Sequence, residues 1–225
     1  MKLKKHYIIL FIVILISMNI PLSAIAKSNK ISKDKKEEIK GIILIDPGHG
    51  GIDGGAKSSN GTVEKNINLQ ISSKLKKRLE GEGYEVYLTR EEDKELSSRK
   101  VEDLNSRCKM KQEVKCDVFI SIHQNKFTRE KCYGAQVWYA DNEKSTKLGE
   151  LIQSGLKDKV DDGNTRLAKN AKAQYKILRD GYDCASVIVE CGFISNPAEE
   201  ERLKTEEHQN KIVEGIIEGV NNYFK

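Results

Sequence analysis

Three polar side chains lie where apolar, strand-like runs of the chain stop. His49 comes shortly after the first such run, His123 directly after the third, and Glu190 directly after the sixth. In parallel α/β sheets, ligands bind at the carboxyl ends of the strands. We therefore expect these three side chains to meet at one edge of a sheet.

The histidines suggest a metal site, because the remaining two, His6 and His208, fall in the N-terminal segment and in a charged C-terminal stretch. Two neutral imidazoles and a carboxylate, with a fourth position for water, form a familiar ligand set for catalytic zinc. Glu64, at the start of the first predicted helix, is the natural third ligand beside His49 and His123. Taken singly, each residue has a structural explanation, as a strand-end histidine or a first-turn glutamate that complements the helix dipole. Only the combination favours Zn²⁺.

The glycine-rich loop 48–55 could instead cradle a phosphate, as such loops after a first strand often do. It fails the dinucleotide-binding pattern, because Asp53 stands where the third glycine is required. The pair Gly50 and Gly55 is one residue out of register for a P-loop. A tight turn that lets His49 face a metal explains the glycines better.

The elements that position these residues alternate along the chain, with short apolar runs between longer stretches of helical period. This pattern is typical of an α/β fold, here a single domain whose mostly parallel, twisted sheet of about six strands is flanked by helices. The first predicted helix starts at Glu64 and ends before Gly81. The predicted strands are 42–45, 84–89, 118–122, 134–139, 175–178 and 186–189, and the later helices are 97–114, 145–160 and 209–223.

Residues 1–26 have the three parts of an export signal. Lysines at 2, 4 and 5 precede an apolar run over 7–16, and Ala24-Ile25-Ala26 supplies a small-residue cleavage site. The alternative is an uncleaved anchor, since the apolar stretch continues weakly towards the length of about 20 residues that spans a bilayer. Both interpretations place the folded part outside the cytoplasm, and only the cleaved form has no membrane contact.

Residues 27–40 are almost wholly polar and charged, which predicts a linker. The formal net charge of +5 falls to +2 without the three signal lysines. Such a small excess gives no reason to expect a nucleic-acid partner.

The five cysteines are an odd number for an exported chain, so at least one is unpaired or bonded to another chain. The sequence does not choose between these outcomes. There is no Cys-x-x-Cys spacing, and Cys116 and Cys191 flank strand-like runs, where a small buried hydrophobe is the expected role. We therefore do not expect a cysteine zinc site.

Four segments, in order, resemble the zinc-dependent N-acetylmuramoyl-L-alanine amidases of the family 3 type. They are Ile45-Asp46-Pro47-Gly48-His49-Gly50-Gly51, Glu64-Lys65-Asn66-Ile67-Asn68-Leu69, Ser121-Ile122-His123-Gln124-Asn125 and Val189-Glu190-Cys191-Gly192-Phe193-Ile194-Ser195-Asn196-Pro197. The resemblance implies that residues 41–225 are an amidase catalytic domain, with zinc bound by His49, Glu64 and His123 and a catalytic carboxylate at Glu190. It also implies cleavage between the lactyl group of N-acetylmuramic acid and L-alanine, so the expected partners are the glycan strand and stem peptide of peptidoglycan.

Within that family, the compact domain resembles the sporulation-specific CwlD-type branch, which acts on spore cortex. Two departures concern substrate detail: Gln124 stands where many relatives have alanine, and Asp183-Cys184-Ala185 lacks a proline common before the final strand. The sequence leaves an activating protein partner open.

The expected chemistry assigns Glu190 to take a proton from water and return it to the leaving nitrogen. We expect Asp46 to orient a ligating histidine. Arg179 is a weaker candidate for binding a stem-peptide carboxylate, and an ordinary surface arginine explains it at least as well. One alternative is a metal-independent glycosidase that pairs Glu190 with Asp46. Another is a non-catalytic peptidoglycan-binding module.

Overall fold

The computed structural model describes residues 38–161 and 163–225. The predicted signal, 1–26, and all but the last three residues of the predicted linker lie outside the described residues. The strands are β1 (Ile42–Pro47), β2 (Glu85–Leu88), β3 (Val118–Asn125), β4 (Gln136–Tyr139), β5 (Lys169–Asn170) and β6 (Ala185–Phe193). The helices are α1 (Glu64–Gly81), α2 (Lys100–Val114), α3 (Glu143–Lys159), α4 (Pro197–Leu203) and α5 (Glu206–Tyr223).

The six strands form one sheet in the order β2-β1-β3-β6-β4-β5. The four strands β2, β1, β3 and β6 run parallel, β4 pairs antiparallel with β6, and β5 runs parallel to β4. The prediction of a single α/β domain with a mostly parallel sheet of about six strands is confirmed. The carboxyl ends of β1, β3 and β6 meet at one edge.

The core has two layers because side chains alternate between the faces of the sheet. On β1, Ile43 and Ile45 belong to the cluster that packs under α1, α3 and α5, whereas Leu44 belongs to the cluster on the α2 side. Helix α1 buries the stripe expected from its four-residue spacing, at Ile67, Ile71, Leu75 and Leu79. Helices therefore cover both faces of the sheet.

The predicted fifth strand, 175–178, is wrong. Residues Lys176–Leu178 form a 3-10 helix, closed by a bond from the Leu178 N–H to the Tyr175 carbonyl. Its buried residues Ile177 and Leu178 pack in the α2-side cluster, and periodicity cannot separate so short an apolar run from a strand. The fifth strand is the polar pair Lys169–Asn170, which carries no strand pattern.

The central strands β1, β3 and β6 are all longer than predicted. His123 lies inside β3 and Glu190 inside β6, whereas both were expected just beyond the strand ends. Helix α4 was not predicted; Asn196 caps it by accepting from the Ala198 and Glu199 N–H groups. In the part of the chain that the structure describes, no helix has the length and apolar character needed to cross a membrane.

Candidate active site

The loop after β1 carries His49 in a left-handed conformation, with φ at 63°. Two buried arginines hold the loop by hydrogen bonds to its backbone. Arg107 donates to the carbonyls of Pro47 and His49. Arg90 donates to the carbonyls of Pro47 and Gly48. Arg107 is itself paired with Asp46 at 2.6 Å. A non-glycine residue in this region is strained, so the arginines supply the contacts that hold it there.

His49, Glu64 and His123 converge on one point at the carboxyl edge of the sheet. The Nε2 atom of His49 lies 3.3 Å from Oε2 of Glu64, and Nδ1 of His123 lies 2.9 Å from its Oε1. The imidazole rings are 4.9 Å apart and nearly perpendicular. One donor atom from each of the three residues lies within 4.8 Å of the others.

Glu64 is buried, and its carboxylate is fixed from several sides. Oε2 accepts from the Ala56 N–H at 2.7 Å, and Oε1 accepts from the Gln124 N–H at 3.0 Å. Burial opposes ionisation, but the neighbouring His123 and His49 rings outweigh it and hold the pKa of Glu64 well below its usual range. The group is therefore an anion over the whole working range of pH.

The backbone packs closely against these donors, and the position next to them requires a glycine. At Gly55, with φ at 68°, an added Cβ would lie 2.5 Å from Cδ2 of His49 and 2.6 Å from Oε2 of Glu64. Two imidazole nitrogens and a carboxylate oxygen are donors suited to a borderline divalent cation. Across residues 38–161 and 163–225, this is the only group of three or more histidine, cysteine or acidic side chains placed to hold a metal.

Glu190 lies beside this cluster, because β6 pairs it in register with His123 on β3. Its Oε2 atom is buried and has no hydrogen-bond partner among the described residues. Burial, with a further contribution from the Glu64 charge, raises the pKa of Glu190 to about 7, although the histidines act against the shift. A carboxyl group with such a pKa can both take and release a proton near neutral pH.

Comparison with known proteins agrees with this geometry. Residues 43–222 match the family described as N-acetylmuramoyl-L-alanine amidase. The chain belongs to this family.

Individual relatives extend the match over most of the chain. The germination-specific N-acetylmuramoyl-L-alanine amidase of Bacillus subtilis is 35% identical over 195 residues, covering 81% of this chain and 79% of the relative. The probable cell wall amidase LytH of Staphylococcus epidermidis is 33% identical over 211 residues, covering 92% of this chain but only 64% of the relative. The CwlD amidase of Clostridioides difficile, solved in complex with the GerS lipoprotein, has a TM-score of 0.78 at 38% identity, covering 81% and 98% of the two chains. The resemblance drawn from the sequence is thus confirmed.

In this amidase, Asp46 was expected to orient a histidine directly, but it makes no hydrogen bond to either imidazole. It is buried and accepts from Arg107, Thr89 and Ser121. Burial opposes ionisation, but the Arg107 charge and the two hydroxyl donors lower the pKa of Asp46 to about 2. Asp46 therefore acts on the His49 loop through Arg107 and the backbone.

Arg179 lies away from the site. It lines a cavity of about 300 Å³ together with Asp183 and Ser186, at the amino-terminal end of β6. Glu190 is five residues further along that strand than Ala185, or about 17 Å at 3.3 Å per residue. The structure thus places Arg179 away from His49, Glu64 and His123, and its expected role in binding a stem-peptide carboxylate stays a prediction.

Sequence reasoning missed three residues that shape the site of the amidase. Arg90 and Arg107 carried no signal, because charged residues in a loop and on a helix are usually solvated. Asp53, whose Oδ2 lies 3.1 Å from Nδ1 of His49, was noted only as a break in the glycine pattern. Its position four residues after His49, inside the tight loop, is the signal that could have found it.

A cavity of about 400 Å³ opens beside the two histidines of the amidase and extends towards α2. Its lining combines polar groups such as Ser97 and Lys100 with the apolar side chains of Ile52, Leu104 and Ile177. The cavity is large enough to receive part of a peptide next to the cluster.

All five cysteines of the amidase are free thiols, and Cys116, Cys184 and Cys191 are buried. The interpretation of Cys116 and Cys191 as small buried hydrophobes is consistent with this placement. The metal-ligand cluster contains no cysteine.

Proposed function

We propose that this amidase uses zinc to hydrolyse the amide bond between the lactyl group of N-acetylmuramic acid and the L-alanine of the stem peptide in peptidoglycan. One observation carries the proposal: the donor atoms of His49, Glu64 and His123 converge within 4.8 Å of one another, and Glu190 lies beside His123 on the adjacent strand. Family membership supports the choice of bond.

We assign zinc binding to His49, Glu64 and His123. The donor set supports zinc, since three protein ligands with an open fourth position are typical of catalytic zinc sites. When bound, zinc would supply a Lewis acid that activates water and polarises the carbonyl. Glu64 carries the negative charge that favours a cation, and its backbone hydrogen bonds hold it in place.

Glu190 acts as general base and then as general acid. Its unpartnered Oε2 is free to accept a proton from the attacking water, and the burial that raises its pKa keeps that proton available for the departing alanine nitrogen. The amine can then leave as a neutral group. Collapse of the tetrahedral intermediate thereby completes the cleavage.

The chemistry of Asp46 argues against the glycosidase alternative. A glycosidase that paired the two residues would use Glu190 as the acid and would need Asp46 free to reach the sugar or a water molecule. Asp46 has a pKa of about 2 and is committed to three donors. Asp46 is therefore not suited to be the second catalytic carboxylate of a glycosidase. Membership in an amidase family supports catalysis over the other alternative, a binding-only module.

We place the action of the amidase outside the cytoplasm, on spore cortex peptidoglycan. The Bacillus subtilis relative named as germination-specific supports the cortex, and the export signal expected in 1–26 supports the compartment. The Clostridioides difficile CwlD amidase was solved with a lipoprotein, which supports an activating protein partner of that class. The mature domain then needs no membrane anchor of its own.

The test is Glu190→Gln, with zinc content and release of stem peptide measured on one sample. The amide is close in shape but cannot accept the proton from water, so zinc should remain while activity falls by about 10² to 10⁴-fold. Glu207→Gln, on the exposed side of α5, is the matched control and should behave like the wild type. Near-normal turnover would exclude the proposed proton transfer, and loss of zinc would make Glu190 a ligand.

A further inference from the structure

We propose that Asp53 is a positioning residue that fixes the His49 imidazole for metal binding. The inference rests on the proposed zinc site and adds a residue that acts on the metal through His49. It predicts a defect in metal affinity that can be measured without any turnover.

Both carboxylate oxygens of Asp53 and its backbone groups make contacts within the loop. Its Oδ1 atom accepts from the Gly55 N–H at 3.1 Å, while Oδ2 lies 3.1 Å from Nδ1 of His49. The backbone groups of Asp53 and Gly50 are hydrogen-bonded in both directions, at 2.9 and 3.1 Å. The carboxylate is therefore held at a fixed place relative to the imidazole.

An ionised carboxylate can only accept hydrogen bonds, so its partner nitrogen must carry the proton. With the proton on Nδ1, the lone pair of His49 remains on Nε2, the nitrogen that faces Glu64. Histidine ligands commonly donate their second ring N–H to a carboxylate, which fixes the tautomer and the ring orientation. Asp53 is in the position to do this for His49.

His49 and His123 are held in different ways. The ring of His123 extends from a central strand and packs against Gly48, where an added Cβ would lie only 2.3 Å away. His49 stands on a loop and its ring packs against Gly55, while the arginine contacts hold its backbone without reaching the ring. Within the described residues, Asp53 and Glu64 supply the ionic contacts of that ring.

The loop offers a matched control in Asp93. Its Oδ1 accepts from the Gly51 N–H at 2.9 Å, and its Oδ2 pairs with Lys65 at 2.7 Å. Asp93 thus anchors the same loop without a contact to either imidazole. A change at Asp93 removes an anchor of the loop only, whereas a change at Asp53 also removes the contact with the His49 ring. The difference in zinc affinity between the two variants therefore measures the effect of that contact.

The experiment measures zinc affinity of the full metal-free chain by competition with a chromophoric chelator. Asp53→Ala should bind zinc about 10 to 100-fold more weakly than the wild type, the usual effect of removing a partner of a metal ligand. Asp53→Asn keeps an acceptor oxygen and should recover part of that loss. Asp93→Ala should stay close to the wild type.

Two results would overturn the inference while leaving the zinc site standing: wild-type affinity in Asp53→Ala, or an equal loss in Asp93→Ala and Asp53→Ala. If the wild-type chain itself bound no zinc, the proposed function would fail, and this inference with it. The two failures are therefore distinguished within one titration series.

Discussion

Gly48 is a residue at which one added methyl group should displace a side chain of the metal-ligand cluster. An added Cβ at this position would lie 2.3 Å from both Cε1 and Nε2 of His123. Ordinary contact begins at 3.4 Å, so the ring would have to retreat by about 1 Å. The backbone of Gly48 is not in the left-handed region, so the clash with His123 is the main effect of Gly48→Ala.

The losses of stability and activity in Gly48→Ala depend on how the His123 ring can move. Overpacking of a well-packed site typically costs about 1 to 3 kcal/mol in the free energy of unfolding. A retreat of the ring also stretches or breaks the 2.9 Å contact between Nδ1 of His123 and Glu64. A misplacement of about 1 Å in catalytic groups can lower the rate by about 10²-fold, so amidase activity should fall by that order.

The assay pairs urea unfolding with activity on purified peptidoglycan. Gly81→Ala is the matched control, because it makes the same chemical change at the end of α1, where nothing lies within 4 Å of the added Cβ. It should leave activity unchanged and should not destabilise the fold. The reasoning fails if Gly48→Ala matches this control in both stability and turnover.

Two further predictions concern acid stability and export. Because the pKa of Asp46 is lowered to about 2 in the folded chain, its stabilisation is present above the unfolded value of 3.8 and is lost as pH falls towards 2. At about 1.4 kcal/mol per pKa unit, the difference in unfolding free energy between the wild type and Asp46→Asn should shrink by about 2 kcal/mol across that window. Curves of unfolding free energy against pH that stay parallel for the two proteins would contradict this prediction. The chain recovered from its native host should begin at Lys27 on N-terminal sequencing, because the Ala24-Ile25-Ala26 site directly precedes it. An intact Met1 end recovered in membranes would establish the anchor instead.

The fold was predictable where packing imposes a period on the sequence. Buried central strands such as β1 and the apolar stripe of α1 carry clear patterns because they are covered by the core. Short edge elements carry none. The two-residue strand Lys169–Asn170 is polar and depends on pairing with β4, and the buried 3-10 turn at Lys176–Leu178 mimics a strand in its apolar content.

The site was predictable for residues at the ends of parallel strands and for Glu64 at the start of α1. His49, His123 and Glu190 could be brought together because parallel strands share one carboxyl edge. The contacts that hold the loop depend on tertiary geometry: Arg107 reaches across from α2, and Arg90 comes from the end of β2. Arg179 shows the limit of this reasoning. It follows the apolar run 175–178, which was predicted to be a strand but contains a 3-10 helix, and it lies near the amino-terminal end of β6, away from the site.

The most direct test of the central claim measures bond specificity and metal dependence together on the wild-type enzyme. Purified peptidoglycan is digested before chelation, after chelation and after zinc is restored, and new amino termini and new reducing ends are quantified. The account predicts free L-alanine amino termini, no new reducing sugar, loss of product on chelation and recovery with zinc. New reducing ends, or full activity in the chelated enzyme, would contradict it.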